Sequence, residues 1–379
     1  MLWLIAPIIV ISNVYCVLYC IKPKPGSLYS KIRKAILYDL FSKLGSIIAS
    51  IIGPKPMQWF RKFKHYLINT NNPLTQIFYI LLFPGAYTMF IFCLLIPYHV
   101  VYSIWDHLVG HSLVMFGFYM YYKTCVTNPG FITSSNAKFY VKKHIEYQEG
   151  SLFRKENCST CCVPKPARSK HCRICDKCIS KLDHHCIWIR GCVGEHNYKY
   201  FLGFISSHSV MCFFGSYISI KCLDFVVYDL NLWNLKFQSG SGKIMKASFW
   251  IIFRYLFDNY EIPMFLFLLC TVLAFALLGF CLYHLTLIRK GASMSEAGKL
   301  ADFSDKLKRT KEDFEKRVDK YKENFPNYET DKKMKKQMQF EMRKKFDKEW
   351  KDFQNELNIV IRNYHSKTFM KTFKEILRA

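Results

Sequence analysis

Acidic residues are scarce in this chain. Its 379 residues include 28 Asp and Glu against 54 Lys and Arg, which gives a formal net charge of +26. A disordered basic tail is nevertheless excluded, because 51% of the residues are hydrophobic and 17% are aromatic, and disordered segments are poor in both. The mean hydropathy is near zero despite the charge, so the apolar residues must be gathered in blocks. Such blocks indicate a membrane protein.

Internal repeats and linkers rich in glycine and proline are also absent, so the apolar blocks define the organisation of the chain. A helix of about 20 apolar residues crosses a hydrocarbon core of roughly 30 Å. The sequence predicts five such spans, at 2–21, 75–98, 105–126, 200–222 and 261–288. Residues 245–258 are amphipathic, and we expect them to lie in the membrane interface rather than to cross it.

The first span lacks the basic residues that precede the apolar core of a signal peptide, and no cleavage site of small residues follows it. We therefore expect an uncleaved signal anchor. Lys and Arg are concentrated between the first two spans, around the cysteines and in the tail. Because basic loops remain in the cytosol, these regions are expected there, and the weakly charged connections at 99–104 and 223–246 are expected on the lumenal side.

These features predict an all-α polytopic membrane protein of about five transmembrane helices, four of which form the core, with a small cytosolic domain of short β-hairpins and loops. The expected parts are a signal-anchor helix at 1–21, a basic cytosolic segment at 22–73, a transmembrane pair at 74–126, the cytosolic cysteine-rich domain at 127–199, a second transmembrane pair with a lumenal or interfacial connection at 200–288, and a charged helical cytosolic tail at 289–379.

Sixteen cysteines would suit a disulfide scaffold in a small secreted protein, but eight of them lie between Cys158 and Cys192, interspersed with histidines. That pattern is typical of metal ligands in a reducing compartment. It reads Cys-x2-Cys-x9-His-Cys-x2-Cys-x2-Cys-x6-His-Cys-x5-Cys. A structural Zn²⁺ takes four nitrogen or sulfur ligands. Two zinc ions therefore account for eight of the nine residues in the pattern, and one residue is left over.

Cys186 is the best candidate for the spare residue, because it lies in the sequence Asp183-His184-His185-Cys186. The thiolate is the nucleophilic form of cysteine, and a neighbouring imidazole activates it. In this interpretation His184 accepts the thiol proton and Asp183 fixes the tautomer and orientation of His184. His185 points the other way and is available to ligate zinc. The motif thus predicts a nucleophilic cysteine beside two zinc sites.

The Asp-His-His-Cys motif resembles that of the DHHC family of integral-membrane protein S-acyltransferases, or palmitoyltransferases. The resemblance covers the cysteine-rich block closely and includes Lys165, Pro166, Arg168, His171, Cys172, Trp188, Cys192, Gly194, Asn197 and Phe201. Asn128-Pro129-Gly130 stands where the family usually has Asp-Pro-Gly, and Ser293-Met294-Ser295-Glu296 stands where it has Thr-Thr-x-Glu. The extra N-terminal helix is similar to that of a subset of the family.

The resemblance implies two structural Zn²⁺ ions and a set of ligands for each. One ion is assigned Cys158, Cys161, His171 and Cys178, and the other Cys172, Cys175, His185 and Cys192. The resemblance also places Lys165 and Arg168 at the phosphates of coenzyme A, and Trp188 with them at the acyl-CoA.

The implied activity is protein S-palmitoylation. Cys186 would take a long-chain acyl group from acyl-CoA as a thioester and pass it to a cysteine of a protein substrate. The expected partners are acyl-CoA, membrane lipid and proteins with cytosolic juxtamembrane cysteines. The habit of the family suggests the endoplasmic reticulum or the Golgi.

Two departures from the family pattern leave an alternative open. Arg190-Gly191 replaces a usual Asn pair, and Met294 replaces a threonine that in the family helps to hold the catalytic Asp. A thioether cannot donate a hydrogen bond, so a catalytically weak or silent membrane zinc scaffold is the alternative. Nucleic-acid binding is disfavoured by the membrane spans, and a ubiquitin ligase by its different ligand spacing and its lack of need for a spare thiol.

Overall fold

The computed structural model describes residues 54–145, 153, 155–238 and 244–323, and single positions at 333, 336, 340, 351, 355 and 376. The signal anchor expected at 1–21, most of the basic segment at 22–73 and most of the tail after residue 323 lie outside the described residues.

The described residues are mostly helical. The α-helices are α1 (Pro54–Asn69), α2 (Leu74–Phe90), α3 (Ile104–Val126), α4 (Ala137–Lys143), α5 (Tyr198–Asp229), α6 (Phe249–Asn259), α7 (Glu261–Arg289) and α8 (Met294–Glu323). A π-helical turn, Ile91–Leu95, continues α2, and 3-10 turns cover His99–Val101, Ile187–Ile189 and Leu232–Asn234.

The strands are short, at two or three residues each. They are β1 (Phe131–Ile132), β2 (Glu156–Asn157), β3 (Pro164–Lys165), β4 (Lys170–Cys172), β5 (Lys177–Ile179), β6 (His184–Cys186), β7 (Gly191–Val193), β8 (Lys236–Gln238) and β9 (Ile244–Lys246). They pair in the order β1-β5-β4 and as the ladders β2-β3, β6-β7 and β8-β9.

Three helices of the described residues are long and apolar enough to cross a membrane: Leu74–Leu95, Tyr198–Asp229 and Glu261–Arg289. They correspond to the spans predicted at 75–98, 200–222 and 261–288. The span predicted at 105–126 is helical as α3, but it is not among the three because Asp106, His107 and His111 make its first turns polar. The predicted count of five spans is therefore not confirmed.

The segment predicted to be one amphipathic helix at 245–258 is divided in the structure. Residues 245 and 246 belong to strand β9, and helix α6 begins at Phe249. Ser248 causes the break, since its side chain accepts a hydrogen bond from the N–H of Ile251 and caps the helix N-terminus.

The chain divides into two compact units. Of the described residues, the first unit contains those up to Thr127 together with His185–Val193 and Asn197–His284, and the second contains Asn128–His184, Gly194–His196 and those from Leu285 onward. The boundary therefore falls inside strand β6, between two residues of the Asp-His-His-Cys motif.

The first unit is a helical bundle in which α3 packs along α5. Its core includes Leu94, Tyr102, Ile218 and Phe265, all of them buried. Ser103 and Asp106 form a capping box at the start of α3. Asp106 also accepts a 2.7 Å hydrogen bond from Lys221 of α5, so the helix cap and the pairing of the two helices depend on the same carboxylate.

The second unit has a small core that includes two cysteine side chains, Cys158 and Cys178, beside Ile132, Tyr140 and Val163. Strands of two or three residues bury too little apolar surface to be stable by themselves. We therefore expect the stability of this unit to depend on hydrogen bonds and ion pairs between its side chains and on the candidate metal sites described below.

The Asn128-Pro129-Gly130 turn closes this unit. The side-chain oxygen of Asn128 accepts hydrogen bonds from the N–H groups of Gly130 at 2.9 Å and Phe131 at 3.0 Å. An amide oxygen thus forms the turn that a carboxylate would otherwise form. Gly194 approaches this turn so closely that a Cβ would lie 2.4 Å from the Pro129 carbonyl oxygen, so no side chain fits at that position.

Candidate metal centres and active site

Two sets of four Cys and His side chains could each hold a metal ion, and within each set the ligand atoms lie within 4.8 Å of one another. The two sets are Cys158, Cys161, His171 and Cys178, and Cys172, Cys175, His185 and Cys192. They are the same two sets that the family resemblance implies. Each has the three thiolates and one imidazole that suit a structural zinc ion.

The first set has the dimensions of a tetrahedral zinc site. Nδ1 of His171 lies 3.6 Å from Sγ of Cys158, 3.3 Å from Sγ of Cys161 and 3.8 Å from Sγ of Cys178. Zinc bonds of ~2.3 Å to sulfur and ~2.0 Å to nitrogen place such atoms ~3.5 Å apart in a tetrahedron. The residues present therefore fit a zinc ion without rearrangement.

The imidazole of His171 is oriented by Asp176, whose Oδ1 lies 3.4 Å from Nε2 of the ring. A carboxylate on the outer nitrogen favours the tautomer in which Nδ1 carries the lone pair that a metal requires. Strand pairing contributes as well, because His171 of β4 is the Cα partner of Cys178 on β5. A two-strand register thus brings together ligands that are separated by a turn.

The thiols of this set have different local environments. The backbone N–H of Cys161 donates to Sγ of Cys158, and mainly for this reason the pKa of Cys158 is lowered to about 7. Burial raises the pKa of Cys178. Both thiols would be deprotonated on binding a metal ion, since a coordinating thiol loses its proton to the metal.

In the second set, His185 and Cys192 both belong to the β6-β7 hairpin, and Nδ1 of His185 lies 3.5 Å from Sγ of Cys192. This separation also matches the ~3.5 Å expected across a tetrahedral zinc site. Cys172 ends strand β4, and Cys175 follows in the turn that leads to β5.

Strand β6 separates the metal ligand from the candidate nucleophile. Successive side chains of a strand point to opposite faces, so His184 and Cys186 share one face and His185 takes the other. Cys186 is buried, with 7% of its surface exposed. The alternation explains why two adjacent histidines have different partners.

Asp183 is held on both of its carboxylate oxygens. Its Oδ2 lies 2.8 Å from Nδ1 of His184, which donates to it, and its Oδ1 accepts the backbone N–H of Met294 at 2.7 Å. The side chain is buried. With its Nδ1–H directed at Asp183, His184 carries its lone pair on Nε2.

The Met294 substitution does not remove the support of Asp183. The backbone N–H makes the contact, and any residue except proline supplies that donor. The hydroxyls of Ser293 and Ser295 also donate to the carbonyl oxygen of Leu182, at 3.2 Å and 2.5 Å. The first turn of α8 therefore fixes the backbone on the N-terminal side of the motif as well as the carboxylate.

The turn after Cys186 is fixed by helices α2 and α3. The hydroxyl of Thr75 donates to the carbonyl oxygen of Ile187 at 2.6 Å, and the hydroxyl of Tyr121 donates to that of Trp188 at 3.2 Å. Trp188 itself is half-buried. Because α2 belongs to a candidate membrane span, Cys186 lies next to the end of an apolar helix.

Arg190 ends this turn in the left-handed region, at φ 47°. Asn and Gly adopt this conformation more readily than other residues, which accounts for an Asn in the usual family pattern. The side chain of Arg190 contributes a hydrogen bond of its own, since its Nε donates to Oδ1 of Asn71 at 3.1 Å.

Arg168 has partners that the sequence did not indicate. Its guanidinium is buried and donates to both carboxylate oxygens of Glu296, at 2.6 Å and 2.7 Å, and to the carbonyl oxygen of Gly291 at 2.7 Å. Burial opposes ionisation of Glu296, but the charge of Arg168 outweighs it and lowers the pKa of that carboxyl. These contacts give Arg168 a structural role within the protein, and its predicted contact with the phosphates of coenzyme A stays a prediction.

Lys165 remains at the surface of the same unit. It forms an ion pair with Glu156, its Cα partner across the β2-β3 ladder. Lys299 of α8 lies nearby, with its ammonium 4.9 Å from the centre of the Phe153 ring. Burial, and after it the charge of Lys165, lowers the pKa of Lys299. Sequence reasoning missed Lys299, because nothing in its local sequence distinguishes it from the other lysines of the tail.

A buried charge network, also missed by sequence reasoning, is centred on Glu195. The carboxylate lies 3.2 Å from each of Lys143, His144 and Lys181, and it accepts a 2.5 Å hydrogen bond from Ser180. Burial opposes ionisation of Glu195, but the hydrogen bond from His144 and the charge of Lys181 outweigh it and hold its pKa well below the usual range. The network fixes the segment between the zinc ligand Cys178 and Asp183.

Comparison with known proteins gives a consistent result. Residues 151–300 match the family model described as DHHC palmitoyltransferase. The chain is 28% identical to palmitoyltransferase ZDHHC4 of Bos taurus over 252 residues, which are 65% of this chain and 73% of that protein. It is 30% identical to palmitoyltransferase swf1 of Schizosaccharomyces pombe over 260 residues, 66% of each chain.

A shorter match has a higher identity. Palmitoyltransferase ZDHHC3 of Homo sapiens is 37% identical over 115 residues, which are 30% of this chain and 38% of that protein. The matched family model includes both sets of metal ligands, the Asp-His-His-Cys motif and Glu296. The chain is therefore a member of the DHHC palmitoyltransferase family and carries its domain at residues 151–300.

Proposed function

We propose that this protein is a protein S-acyltransferase that carries a long-chain acyl group, such as palmitoyl, on Cys186. The observation that carries the proposal is the arrangement on β6, where His184 and Cys186 share a face and Asp183 is fixed on both oxygens. A nucleophile, its base and a group that orients the base are the parts required for covalent acyl transfer.

The first stage forms the acyl-enzyme. His184 takes the thiol proton of Cys186 on Nε2, and the thiolate attacks the carbonyl carbon of the acyl-CoA thioester. The new carbon–sulfur bond forms as the bond to coenzyme A breaks, and the coenzyme A thiolate leaves with the proton from His184. Asp183 stabilises the imidazolium that exists between these events.

The second stage transfers the acyl group. His184 takes the proton of a substrate cysteine, the resulting thiolate attacks the Cys186 thioester, and the Cys186 thiolate leaves and recovers the proton. The acyl group therefore moves between sulfur atoms without hydrolysis, provided that water is excluded. The burial of Cys186 beside the end of an apolar helix supports such exclusion.

Zinc ions in the two ligand sets would supply structural cross-links and no catalytic step, because four protein ligands leave no open position. Cys158, Cys161, His171 and Cys178 would hold one ion, and Cys172, Cys175, His185 and Cys192 the other. Their role is to fix β4, β5 and the β6-β7 hairpin, and thereby the strand that carries His184 and Cys186.

Binding of acyl-CoA is proposed to use Lys165 for the coenzyme A phosphates and Trp188 beside the reacting carbon. We propose Lys299 as a second basic group at this site, because it lies near Lys165 and the negative charges of the coenzyme A phosphates can pair with both ammonium groups. Arg168 is proposed as a positioning residue that holds Glu296 and the start of α8.

The proposed protein substrates carry cysteines close to the cytosolic surface of the membrane. An acyl chain held among the membrane helices keeps the thioester on Cys186 near that surface, so the attacking cysteine must reach it there. The cytosolic orientation of the cysteine-rich domain and a location in the endoplasmic reticulum or Golgi are part of this proposal. They are supported by the distribution of Lys and Arg and by the family.

The test is acyl-enzyme formation by the full chain in detergent with an alkyne-tagged palmitoyl-CoA. We expect label on the wild type that hydroxylamine removes, and none on Cys186→Ser. Cys162→Ser is the matched control, because Cys162 is an exposed thiol of the same domain outside both ligand sets, and it should label normally.

The result that would overturn the proposal is Cys186→Ser protein that labels like the wild type, or wild type with bound zinc that takes no label. The second outcome would favour the alternative of a silent zinc scaffold. No contact in the described residues favours that alternative, since the substitution at Met294 leaves the support of Asp183 in place.

A further inference from the structure

The connection between α5 and α7 contains a helix with two apolar faces. Helix α6 buries Ile252 and Leu256 in a core with Val226, Leu232 and Met264. A second set of apolar side chains faces outward, and Phe249 and Trp250 are 63% and 74% exposed. The outer face of a helix that contacts water is usually polar, and exposed large aromatic side chains indicate contact with another surface.

The exposed Phe249 and Trp250 continue an aromatic stripe with Phe253 and Phe257, which are half-buried and also pack against the core beneath the helix. At about 100° per residue, Phe249, Phe253, Phe257 and Trp250 fall within one arc of about 100° next to the buried face. Their rings are neighbours, with centroids 6.4 Å apart for Phe249–Phe253 and Phe253–Phe257, and 5.4 Å apart for Phe249–Trp250. Arg254 and Asp258 pair with each other beyond this stripe, as on the polar side of an interfacial helix.

The position of α6 in the chain places this stripe at a membrane surface. The helix α5 ends at Asp229 and α7 begins at Glu261, and both are among the helices able to cross a membrane. Residues 230–260 therefore connect two candidate spans at one membrane face. Cys186 precedes the other end of α5, which is about 48 Å long at ~1.5 Å per residue, so this connection is remote from the acyl-transfer site.

The β8-β9 hairpin in the same connection brings two lysines together. Lys236 and Lys246 are Cα partners across the ladder, and both are exposed. Like charges directly opposite each other destabilise a hairpin. Neither lysine forms an ion pair with a carboxylate of the described residues, whereas the nearby Arg254 does. The pair is therefore suited to an external anion.

The phosphate of a phospholipid headgroup, which is present in both leaflets, is such an anion. Trp233 and Ile244, three and two residues before the two lysines, are 56% and 67% exposed, so each lysine has an exposed apolar residue near it in the sequence. Aromatic and aliphatic side chains that flank lysines are the arrangement found where a protein meets phospholipid headgroups. An acidic protein surface would instead require polar neighbours around the lysines.

We propose that helix α6 and strands β8 and β9 form a lipid-binding element in which the aromatic stripe of α6 enters the bilayer interface and the Lys236–Lys246 pair binds the phosphate of an anionic phospholipid. The element lies at the opposite end of α5 from Cys186. It is independent of the acyl-transfer proposal, since none of its residues belongs to the catalytic or metal-ligand sets.

The test identifies which lipid lies next to Trp250 when the full chain is reconstituted in bilayers. Phosphatidylcholine brominated on its acyl chains, or phosphatidylserine brominated in the same way, is included at equal mole fraction, and the quenching of Trp250 fluorescence is measured. The contribution of Trp250 is the difference between the wild type and Trp250→Phe in the same bilayers. This local readout excludes lipid bound to the basic regions elsewhere in the chain.

We expect both lipids to quench Trp250 and phosphatidylserine to quench it more strongly. In Lys236→Gln/Lys246→Gln the enrichment of phosphatidylserine should fall, by roughly fivefold for each lysine, whereas Lys236→Arg/Lys246→Arg should retain it. The matched control, Lys138→Gln/Lys142→Gln, removes two exposed lysines of helix α4 and should change nothing.

Two results would overturn the proposal. If neither lipid quenched Trp250, the stripe would lie outside the bilayer. If phosphatidylserine remained enriched in the glutamine double variant, the lysine pair would not be the binding group. Acyl-enzyme label on Cys186 in every variant shows that the protein is folded, and its loss in all proteins, the wild type included, would count against the proposed function only.

Discussion

The two sides of Cys186 are held in different ways. On the N-terminal side, Leu182 and Asp183 are fixed by the first turn of α8, through the backbone N–H of Met294 and two serine hydroxyls. On the C-terminal side, the turn Ile187–Ile189 is fixed by side chains of α2 and α3 that donate to its carbonyl oxygens.

The difference explains why the two departures from the family pattern have unequal consequences. Where a backbone N–H makes the contact, the identity of the side chain is unimportant, so Met294 serves as well as threonine. Where the backbone lies in the left-handed region, its conformational energy depends on the type of residue. Arg190 occupies this region, which favours Asn or Gly. The first departure is therefore neutral and the second carries a cost in stability.

The largest effect is expected at the N-terminal side, in Asp183→Asn. The amide oxygen can still accept the N–H of Met294, but the amide N–H₂ faces Nδ1 of His184 and favours the tautomer that has its proton on Nε2. His184 then cannot act as a base, and acyl-enzyme formation should slow by about a hundredfold or more. Single-turnover labelling with palmitoyl-CoA measures this rate.

The control for this variant is Asp302→Asn, which changes an exposed carboxylate of α8 and should label at the wild-type rate. If Asp183→Asn also labelled at that rate, the role of Asp183 in orienting His184 would be wrong.

A pair of variants at Met294 tests whether the backbone or the side chain supports Asp183. Met294 is the first residue of α8, a position where proline is tolerated in a helix. Met294→Pro removes the N–H donor and should slow acyl-enzyme formation by about tenfold, the effect of one hydrogen bond to a charged group. Met294→Thr restores the usual family residue and should change the rate by less than about twofold. A large gain in Met294→Thr would show that the side chain is the missing support.

The third effect is on stability. Glu296→Gln leaves the guanidinium of Arg168 buried without its charged partner, and breaking a buried pair in this way costs roughly 3 kcal/mol. The apparent Tm of the purified protein should fall. The double variant Arg168→Met/Glu296→Leu should lose less than Glu296→Gln, because no buried charge remains. Equal Tm values for wild type and Glu296→Gln would contradict the prediction.

The same pair predicts a pH dependence. The pKa of Glu296 is lowered in the folded protein, so its carboxylate contributes stability that is fully present above its unfolded value of about 4.3. This contribution is lost as the pH falls through the folded pKa. The difference in Tm between wild type and Glu296→Gln should therefore be constant near neutral pH and shrink in acid.

Local spacing predicted two metal sites and one spare thiol in the motif, whereas the division of the ligands into two sets came from the family resemblance. Ligands two residues apart, and the alternation of His184, His185 and Cys186, are properties of a short stretch of chain. The long apolar runs predicted the helices α2, α5 and α7 for the same reason. The span predicted at 105–126 forms helix α3, but its first turns contain polar groups whose partners lie elsewhere, such as Lys221 for Asp106.

The contacts between distant residues could not be predicted. Arg168 and Glu296 are 128 positions apart, and His144 and Glu195 are 51 positions apart. No spacing rule connects such residues, and each alone suggests an ordinary surface charge. For this reason the sequence does not predict the contact of Arg168 with Glu296, and the contact with phosphate that the family resemblance implies for Arg168 stays a prediction.

The smallest effect is expected on the C-terminal side of Cys186, in Arg190→Asn. Asparagine tolerates φ near 47° better than arginine, so the variant should gain up to about 1 kcal/mol in unfolding free energy, seen as a higher Tm. Part of the gain is offset because the hydrogen bond from Arg190 to Asn71 is lost. Asn71→Ala separates the two contributions, since it removes the same hydrogen bond and leaves the backbone unchanged, and its Tm should fall slightly. If both variants lowered the Tm equally, the hydrogen bond would outweigh the backbone conformation, and the two sides of Cys186 would both depend on side-chain identity.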